Sequence, residues 1–207
     1  MSPPAAPDVG DVMAAGPPRR LLLASASPRR LDLLRQIGVR PAAVHPPDID
    51  ERPRKAEQPR LYAARMAREK AAAVAALHPD AFVLAADTVV AVGRRILPKT
   101  EDEAAARACL EALSGRRHRV HGGICLALPG GRRAERLVTT MVRFVRLTPQ
   151  EIGVYLAGGE WAGKAGGYAI QGSAAAFIPA INGSYSNVVG LSLPETWSLL
   201  RGHGLLD

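Results

Sequence analysis

Asp87 follows the apolar run at 81–86, AFVLAA, and precedes Thr88 and a second apolar run, VVAV, that closes at Gly93. The first run predicts a buried strand, and a carboxylate at its C-terminal end needs a cation or hydrogen-bond donors to meet it. Open α/β sheets place their chemistry at that end of their strands. A second constellation lies earlier, in LLLASASPRRLDLLRQIGV at 21–39. Its apolar start reads as a strand. Ser27 then offers an N-cap oxygen, Pro28 suits the first helical position, Gly38 supplies a left-handed stop, and Leu31, Leu34 and Ile37 share one helical face. Free N–H groups, the positive end of the helix dipole, the hydroxyls of Ser25 and Ser27 and the side chains of Arg29 and Arg30 converge at that helix start. The chemistry it offers is anion binding, and a phosphate fits.

The elements between and after these two points supply further charged candidates. Residues 40–59 are rich in proline and charge, which forbids a long regular element and predicts a surface loop. The loop carries Asp48, Asp50 and Glu51, candidate metal ligands beside an anion site. Residues 59–77 are alanine-rich and predict a long helix with Leu61, Ala64 and Met66 toward the core. Lys70 lies near its middle, where a lysine taken alone belongs in solvent. Lys99 precedes a helix that Thr100 and Glu103 are expected to cap as a box, ending near Leu113 with Gly115 as its stop. Residues 118–128 and 134–147 flank a PGG turn and predict an antiparallel hairpin, after which Thr148, Pro149 and Glu151 open another capped helix. The stretch 158–172, GGEWAGKAGGYAIQG, is too glycine-rich for a regular element, so its backbone is free to approach a ligand; it carries Glu160, Lys164 and Gln171. A turn, an apolar run at Val188 and Val189 and a final helix over 194–200 complete the chain.

Composition limits the partners. At 207 residues with 47% hydrophobic residues the chain can bury one sizeable core or two joined lobes, and it is not a disordered protein. The net charge of +8 invites a nucleic-acid partner, but 4% aromatic content leaves few stacking platforms and the arginines are scattered among acids. A small polyanionic substrate explains the charge equally well, and nucleic acid is not the expected partner. Cys109 and Cys125 lack CxxC spacing and read as buried free thiols of a reducing, cytoplasmic setting, with no structural zinc. No apolar run approaches a membrane span. Residues 1–18, rich in Pro, Ala and Gly, predict a flexible tail ahead of a single domain at 19–207.

Taken in order, the segments SASPRR, DIDE, AREKA, ADTVV, LPK, LSGRRH, KAGGYAIQG and INGSYSNVVGL resemble the signature of the Maf family of nucleoside triphosphate pyrophosphatases. The likeness runs from about Leu21 to Leu200. It implies a mixed α/β sheet in two lobes around a central cleft, of the Maf and Ham1 type. It implies cleavage of a nucleoside triphosphate between its α and β phosphates to a monophosphate and pyrophosphate, with a divalent metal, magnesium or manganese, and often a homodimer. By position, Asp87 matches the family's proton acceptor, and Arg30, Glu51, Lys70 and Lys99 match charged cleft residues. Ser25, Ser27 and Lys164 join the phosphate-binding set, and Glu51 with Asp87 is the expected metal pair. Arg29, Thr88 and Gln171 match the specificity positions of the branch preferring dTTP and UTP. The amide of Gln171 suits the carbonyl and N–H edge shared by uracil and thymine. Two departures stand out: Gly163 replaces an acid that many relatives carry, leaving Glu160 as its substitute, and LPKT replaces a more usual Lys-Pro pair. The alternative is a non-catalytic regulator of cell division that binds nucleotides or nucleic acid.

Overall fold

The computed structural model describes residues 19–206, so the expected tail at 1–18 lies outside the described residues. In chain order the elements are β1 (Leu21–Ala24), α1 (Pro28–Gln36), β2 (Ala43–Val44), α2 (Pro59–Leu77), β3 (Phe82–Val92), β4 (Arg95–Leu97) and α3 (Glu103–Leu113). They continue as β5 (Arg117–Ala127), β6 (Arg133–Arg143), α4 (Pro149–Ala157), a 3-10 turn (Ser173–Phe177), β7 (Ala180–Asn182), α5 (Tyr185–Val189) and α6 (Leu193–Gly202). One seven-stranded mixed sheet has the order β2-β1-β3-β5-β6-β7, with β4 against the end of β3. β1 is parallel to β2 and β3, and the later pairs are antiparallel. The mixed α/β sheet is therefore the one implied by the sequence.

Strand β3 decides where the cleft can open. Its first half pairs with β1 from Phe82 to Ala85, and its far end pairs with β4 from Val90 to Val92. Between them β1 has already ended, so Ala86 to Val89 has a strand neighbour only on the β5 side. Asp87 and Thr88 sit in that gap. The expected break after Asp87 does not occur: the two apolar runs form one continuous strand, and the aspartate is in its middle. Pairing with β5 on one side carries the strand through the polar pair.

The core divides on either side of the gap, which produces the two lobes. One half of the sheet is covered on one face by α2, through Ala67, Ala71 and Val74 against Leu22, Val83 and Ala85. Its other face is covered by α1 and α6, through Leu33, Leu34, Leu199 and Leu200 against Leu21, Leu23 and Leu84. The second lobe packs α3 and α4 on Val90, Val120, Val142 and Phe144. Each fully buried leucine in these clusters contributes roughly 2 kcal/mol.

Several local readings are corrected. On α2, Leu61 is 54% exposed and Ala64 only partly buried, while Ala63, Met66, Ala67, Lys70, Ala71 and Val74 form the buried stripe. Small side chains win this face because Gly123 lies beneath it: a Cβ there would stand 2.2 Å from the Ala63 carbonyl oxygen, so helix backbone meets strand backbone. On α1, Leu33 and Leu34 are buried while Leu31 and Ile37 only flank the core. Ser27 holds the N-cap position without a side-chain cap bond; Ser25 Oγ accepts the Ser27 N–H instead, at 3.1 Å. At α3 the cap is Asp102, which accepts from the Ala105 N–H, and Thr100 is buried with its hydroxyl donating to the Trp161 carbonyl at 2.7 Å. The box at Thr148 and Glu151 forms as expected. Residues 185–189, where the sequence predicts the end of a turn and an apolar run at Val188 and Val189, form the short helix α5.

Candidate active site

Eleven residues singled out from the sequence line one cleft of about 410 Å³: Ser25, Ser27, Arg29, Arg30, Glu51, Lys70, Asp87, Thr88, Lys99, Lys164 and Gln171. They come from six separate stretches of chain, and each stretch has its own reason to arrive. The turn after β1 brings the serines and arginines. Helix α2 brings Lys70 on its buried stripe, where the lysine is 4% exposed rather than solvated. The sheet gap brings Asp87 on the α2 face and Thr88 on the opposite face, as alternation along a strand requires. Lys99 arrives by pairing: it bridges to Ala165, and the Gly166 N–H donates to the Pro98 carbonyl at 2.9 Å. The glycine-rich stretch bends against Val90 because Gly166 is left-handed, with φ of 70°, and a Cβ there would lie 2.8 Å from Val90 Cγ1.

One wall is an alternating ion chain. Lys70 Nζ donates to Asp87 Oδ1 at 2.6 Å and lies 2.9 Å from Glu51 Oε1; Lys99 Nζ donates to Glu51 Oε2 at 2.6 Å. Burial alone would raise the Glu51 pKa, but hydrogen bonds from Lys99 and Lys70 outweigh it and hold the group at about 2. Asp87 and Lys70 are both nearly inaccessible, so each would be strongly destabilising there without the other.

The other wall is built around Arg30, buried on α1. Its Nε donates to the Gly190 carbonyl at 2.9 Å, one terminal nitrogen to Ser25 Oγ at 3.2 Å and the other to Thr88 Oγ1 at 3.2 Å. Burial pulls its pKa down and the field of Asp87 partly restores it, yet an arginine stays charged. Arg29 donates to the Val189 carbonyl at 3.3 Å and Lys164 to the Ala162 carbonyl at 3.0 Å, and burial lowers both pKa values. Among the described residues none of these three cations has a carboxylate within 4.0 Å, whereas Lys70 and Lys99 both do. Three cations facing a concave surface without counter-ions make an anion receptor.

Other candidates end up elsewhere. Asp50 is tied to Arg52 at 2.8 Å on the exposed side of its loop, and Asp48 is exposed outside the cleft. Glu160, the expected substitute for an acid at Gly163, accepts the Ser173 N–H at 2.9 Å and caps the 3-10 turn instead of entering the cleft. The Thr88 hydroxyl is engaged by Arg30 and donates to the Gly190 carbonyl, so of the three specificity positions Arg29 and Gln171 present the polar groups. The Gly190 carbonyl was invisible in the sequence, because a backbone acceptor carries no residue type. Its support has a signal, the GG pair at 122–123: a Cβ on Gly122 would stand 1.8 Å from Asn187 Oδ1, so only a bare strand lets α5 settle there.

Among the described residues no group of three or more His, Cys, Asp and Glu is placed to hold a metal. Glu51 and Asp87 nevertheless share Lys70 Nζ, at 2.9 and 2.6 Å, which places the two carboxylates within reach of one cation. Two carboxylates fit magnesium at a phosphate site, where the ion keeps waters and takes remaining ligands from the substrate.

The family model for Maf-like protein matches residues 20–203. The dTTP/UTP pyrophosphatase of Paramagnetospirillum magneticum is 66% identical over 184 residues, 89% of this chain and 97% of that protein. The dTTP/UTP pyrophosphatases of Rhodospirillum rubrum and Caulobacter vibrioides are 61% and 60% identical, covering 94% and 93% of this chain and 91% and 98% of theirs. Among solved structures, the Staphylococcus aureus Ham1 protein aligns at a TM-score of 0.47 and 15% identity over 61% of this chain and 72% of its own, too distant to carry an argument. With the motif order, the family model and these relatives spanning the same residues, the chain belongs to the Maf family.

Proposed function

We propose that this protein is a nucleoside triphosphate pyrophosphatase, cutting the bond between the α and β phosphates to release a monophosphate and pyrophosphate, with dTTP and UTP as favoured substrates. The observation that carries the reading is the pairing of three cations without counter-ions, Arg29, Arg30 and Lys164, with two carboxylates on the facing wall of the same cleft. A binder of phosphates needs the first set; hydrolysis also needs the second. The names of the three relatives point the same way.

In this reading Asp87 accepts the proton of the attacking water, and Lys70, 2.6 Å away, orients its carboxylate. Arg30, held by three neutral acceptors, receives phosphate oxygens without first leaving a carboxylate. Lys70 and Lys99 exchange part of their contact with Glu51 and Asp87 for phosphate oxygens as the substrate enters. Ser25 and Ser27 complete the phosphate rim. Glu51 and Asp87 would hold a divalent cation, magnesium or manganese, together with substrate oxygens, and the cation would neutralise charge on the phosphoryl groups. Gln171, exposed on the cleft, offers an amide donor and acceptor to the O4 and N3–H edge of uracil and thymine, and Arg29 lines the same cleft. Cytosine reverses that edge, so an amide held in one orientation in the occupied cleft pairs with uracil or thymine and not with cytosine. The buried thiols Cys109 and Cys125 support a cytoplasmic setting, and a measurement of the mass in solution tests assembly as a homodimer.

Product analysis and kcat/KM for dTTP, UTP, CTP and 7-methyl-GTP, with and without magnesium or manganese, test the reading. Pyrophosphate release with dTTP and UTP ahead is expected. Orthophosphate as the product, or a preference for 7-methyl-GTP, overturns it. Unaltered selectivity in Gln171→Ala removes that residue from substrate choice.

A further inference from the structure

The loop at 45–58 carries Glu51 yet has almost no backbone structure of its own. Its internal backbone bonding amounts to the Glu57 N–H donating to the Arg54 carbonyl at 3.1 Å, among the described residues. Something else must hold the Glu51 carboxylate where Lys70 and Lys99 meet it, and the contacts come from one stripe of α2. The Tyr62 hydroxyl donates to the Glu51 carbonyl oxygen. One helical turn on, Arg65 forks onto Glu57, with Nε on Oε1 and a terminal nitrogen on Oε2, both at 2.7 Å. That same terminal nitrogen donates to the Arg52 carbonyl at 3.2 Å, and the other is fixed by Glu69 at 3.0 Å. The Arg65 guanidinium carbon lies 5.4 Å from the centre of the Tyr62 ring, so each orders the other. Arg65 and Glu57 side chains are 11% and 10% exposed, which sets this pair apart from the exposed Arg52–Asp50 pair beside it.

We propose that Tyr62 and Arg65 are positioning residues for Glu51: they clamp its own carbonyl and the next one, that of Arg52, to the helix that also carries Lys70. Glu51 is then held twice by α2, at its backbone by Tyr62 and Arg65 and at its carboxylate by Lys70. The loop therefore moves with the helix, and the distance from Glu51 to Asp87 through Lys70 is fixed by one rigid element. Neither residue has to contact the nucleotide; their effect passes through Glu51. This inference rests on the pyrophosphatase reading for its kinetic consequence and on the contacts alone for its structural one.

Tyr62→Phe removes one hydrogen bond and keeps the ring; Arg65→Lys keeps the charge against Glu57 and loses the fork that reaches Arg52. Each is expected to lower kcat for dTTP by about tenfold, with KM within about twofold, as expected for a small misplacement of a reacting group. In a Glu51→Gln background, read at high enzyme concentration, the same substitutions should change kcat by less than about twofold, because residues acting through one group are not additive. Native trypsin cleavage after Arg54 and Lys55 should be at least about tenfold faster in both variants, reporting local opening rather than global unfolding. Wild-type kcat in both variants, an undiminished effect in the Glu51→Gln background, or unchanged cleavage of the loop overturns the clamp. Should the wild type turn over no nucleoside triphosphate, the pyrophosphatase reading falls, and the trypsin rates alone decide the clamp: faster cleavage upholds it and unchanged cleavage overturns it.

Discussion

On the α2 wall of the cleft, two lysines and two carboxylates alternate along a chain whose charges cancel; on the α1 wall, Arg30 is also buried, yet every atom its guanidinium touches is neutral. The first wall is satisfied as it stands. To act on a ligand it must exchange partners, and its hydrogen bonds set a cost on doing so. The second wall has its geometry fixed by carbonyl and hydroxyl dipoles while its charge is left for something else to meet. Preorganised positive charge of this kind serves an anion at no cost in rearrangement. In the proposed reaction this contrast becomes a division of labour: the α1 wall would gather phosphates and the α2 wall would carry the groups whose protons and contacts change.

The largest effect should come from the buried carboxylate of the paired wall. Asp87→Asn keeps the shape and removes the charge, and kcat for pyrophosphate release is expected to fall about a thousandfold. Activity within about tenfold of wild type would break the assignment of chemistry to that wall. For the unpaired wall, Arg30→Ala should lower kcat/KM for dTTP about a hundredfold, and Arg30→Lys should recover less than about tenfold of that loss. A single ammonium cannot meet Gly190, Ser25 and Thr88 together, so full rescue by lysine would show that charge alone, without the fixed fork, suffices.

The two lysines divide the paired wall further. Lys70→Met strands Asp87 beside Glu51 and should cost about 3–5 kcal/mol in denaturant unfolding. Lys99, with its side chain 53% exposed, should cost less than about 1 kcal/mol on the same change while still lowering kcat/KM about tenfold. Equal stability losses for the two would erase the distinction between interior and rim of the ion chain.

The smallest effect is on acid stability. The folded-state pKa of Glu51, about 2, lies below the ordinary 4.5, so its contribution is complete above pH 4.5 and is lost as pH falls through about 2. Screening at this partly exposed carboxylate limits it to about 1 kcal/mol. His118, which burial pushes down to about 4, loses its contribution earlier, as pH falls from 6.5 through about 4. Below pH 4 Asp50, Glu57 and Glu151, whose pKa values are also lowered by hydrogen bonds, titrate in both proteins, so the difference in urea midpoint between wild type and Glu51→Gln isolates Glu51: wild type should lose stability there that the variant does not. Parallel curves would mean that Lys70 and Lys99 contribute nothing net to holding it charged.

Features encoded by neighbouring residues were legible in the chain. The strand, proline-led helix and left-handed Gly38 at 21–38, the bounds of α2, the turn that opens the β5–β6 hairpin and the box at Thr148 all depend on residues within a few positions. Asp87, a carboxylate in an apolar strand, does reach the cleft, although it lies within β3 and not at its end. The family resemblance placed Lys70 in the cleft, but its burial was illegible from its neighbours, because it depends on partners 17 and 19 positions away in sequence, Asp87 and Glu51. Thr100 and Glu160 misled because their hydroxyl and carboxylate suit local caps and more distant partners equally, and Trp161 and Ser173 won them.

The sequence by itself determined the elements and the inventory of charges, since periodicity, propensity and capping act within a turn or a strand. It also determined the family, through motifs whose order survives in the chain. Only the tertiary structure decided which charges cancel and which remain for a ligand. That choice depends on a gap between β1 and β4, on two bare glycines that let α2 and α5 approach the sheet, and on a carbonyl at Gly190. Desolvation makes such pairings matter, and desolvation exists only once distant segments have closed over one another.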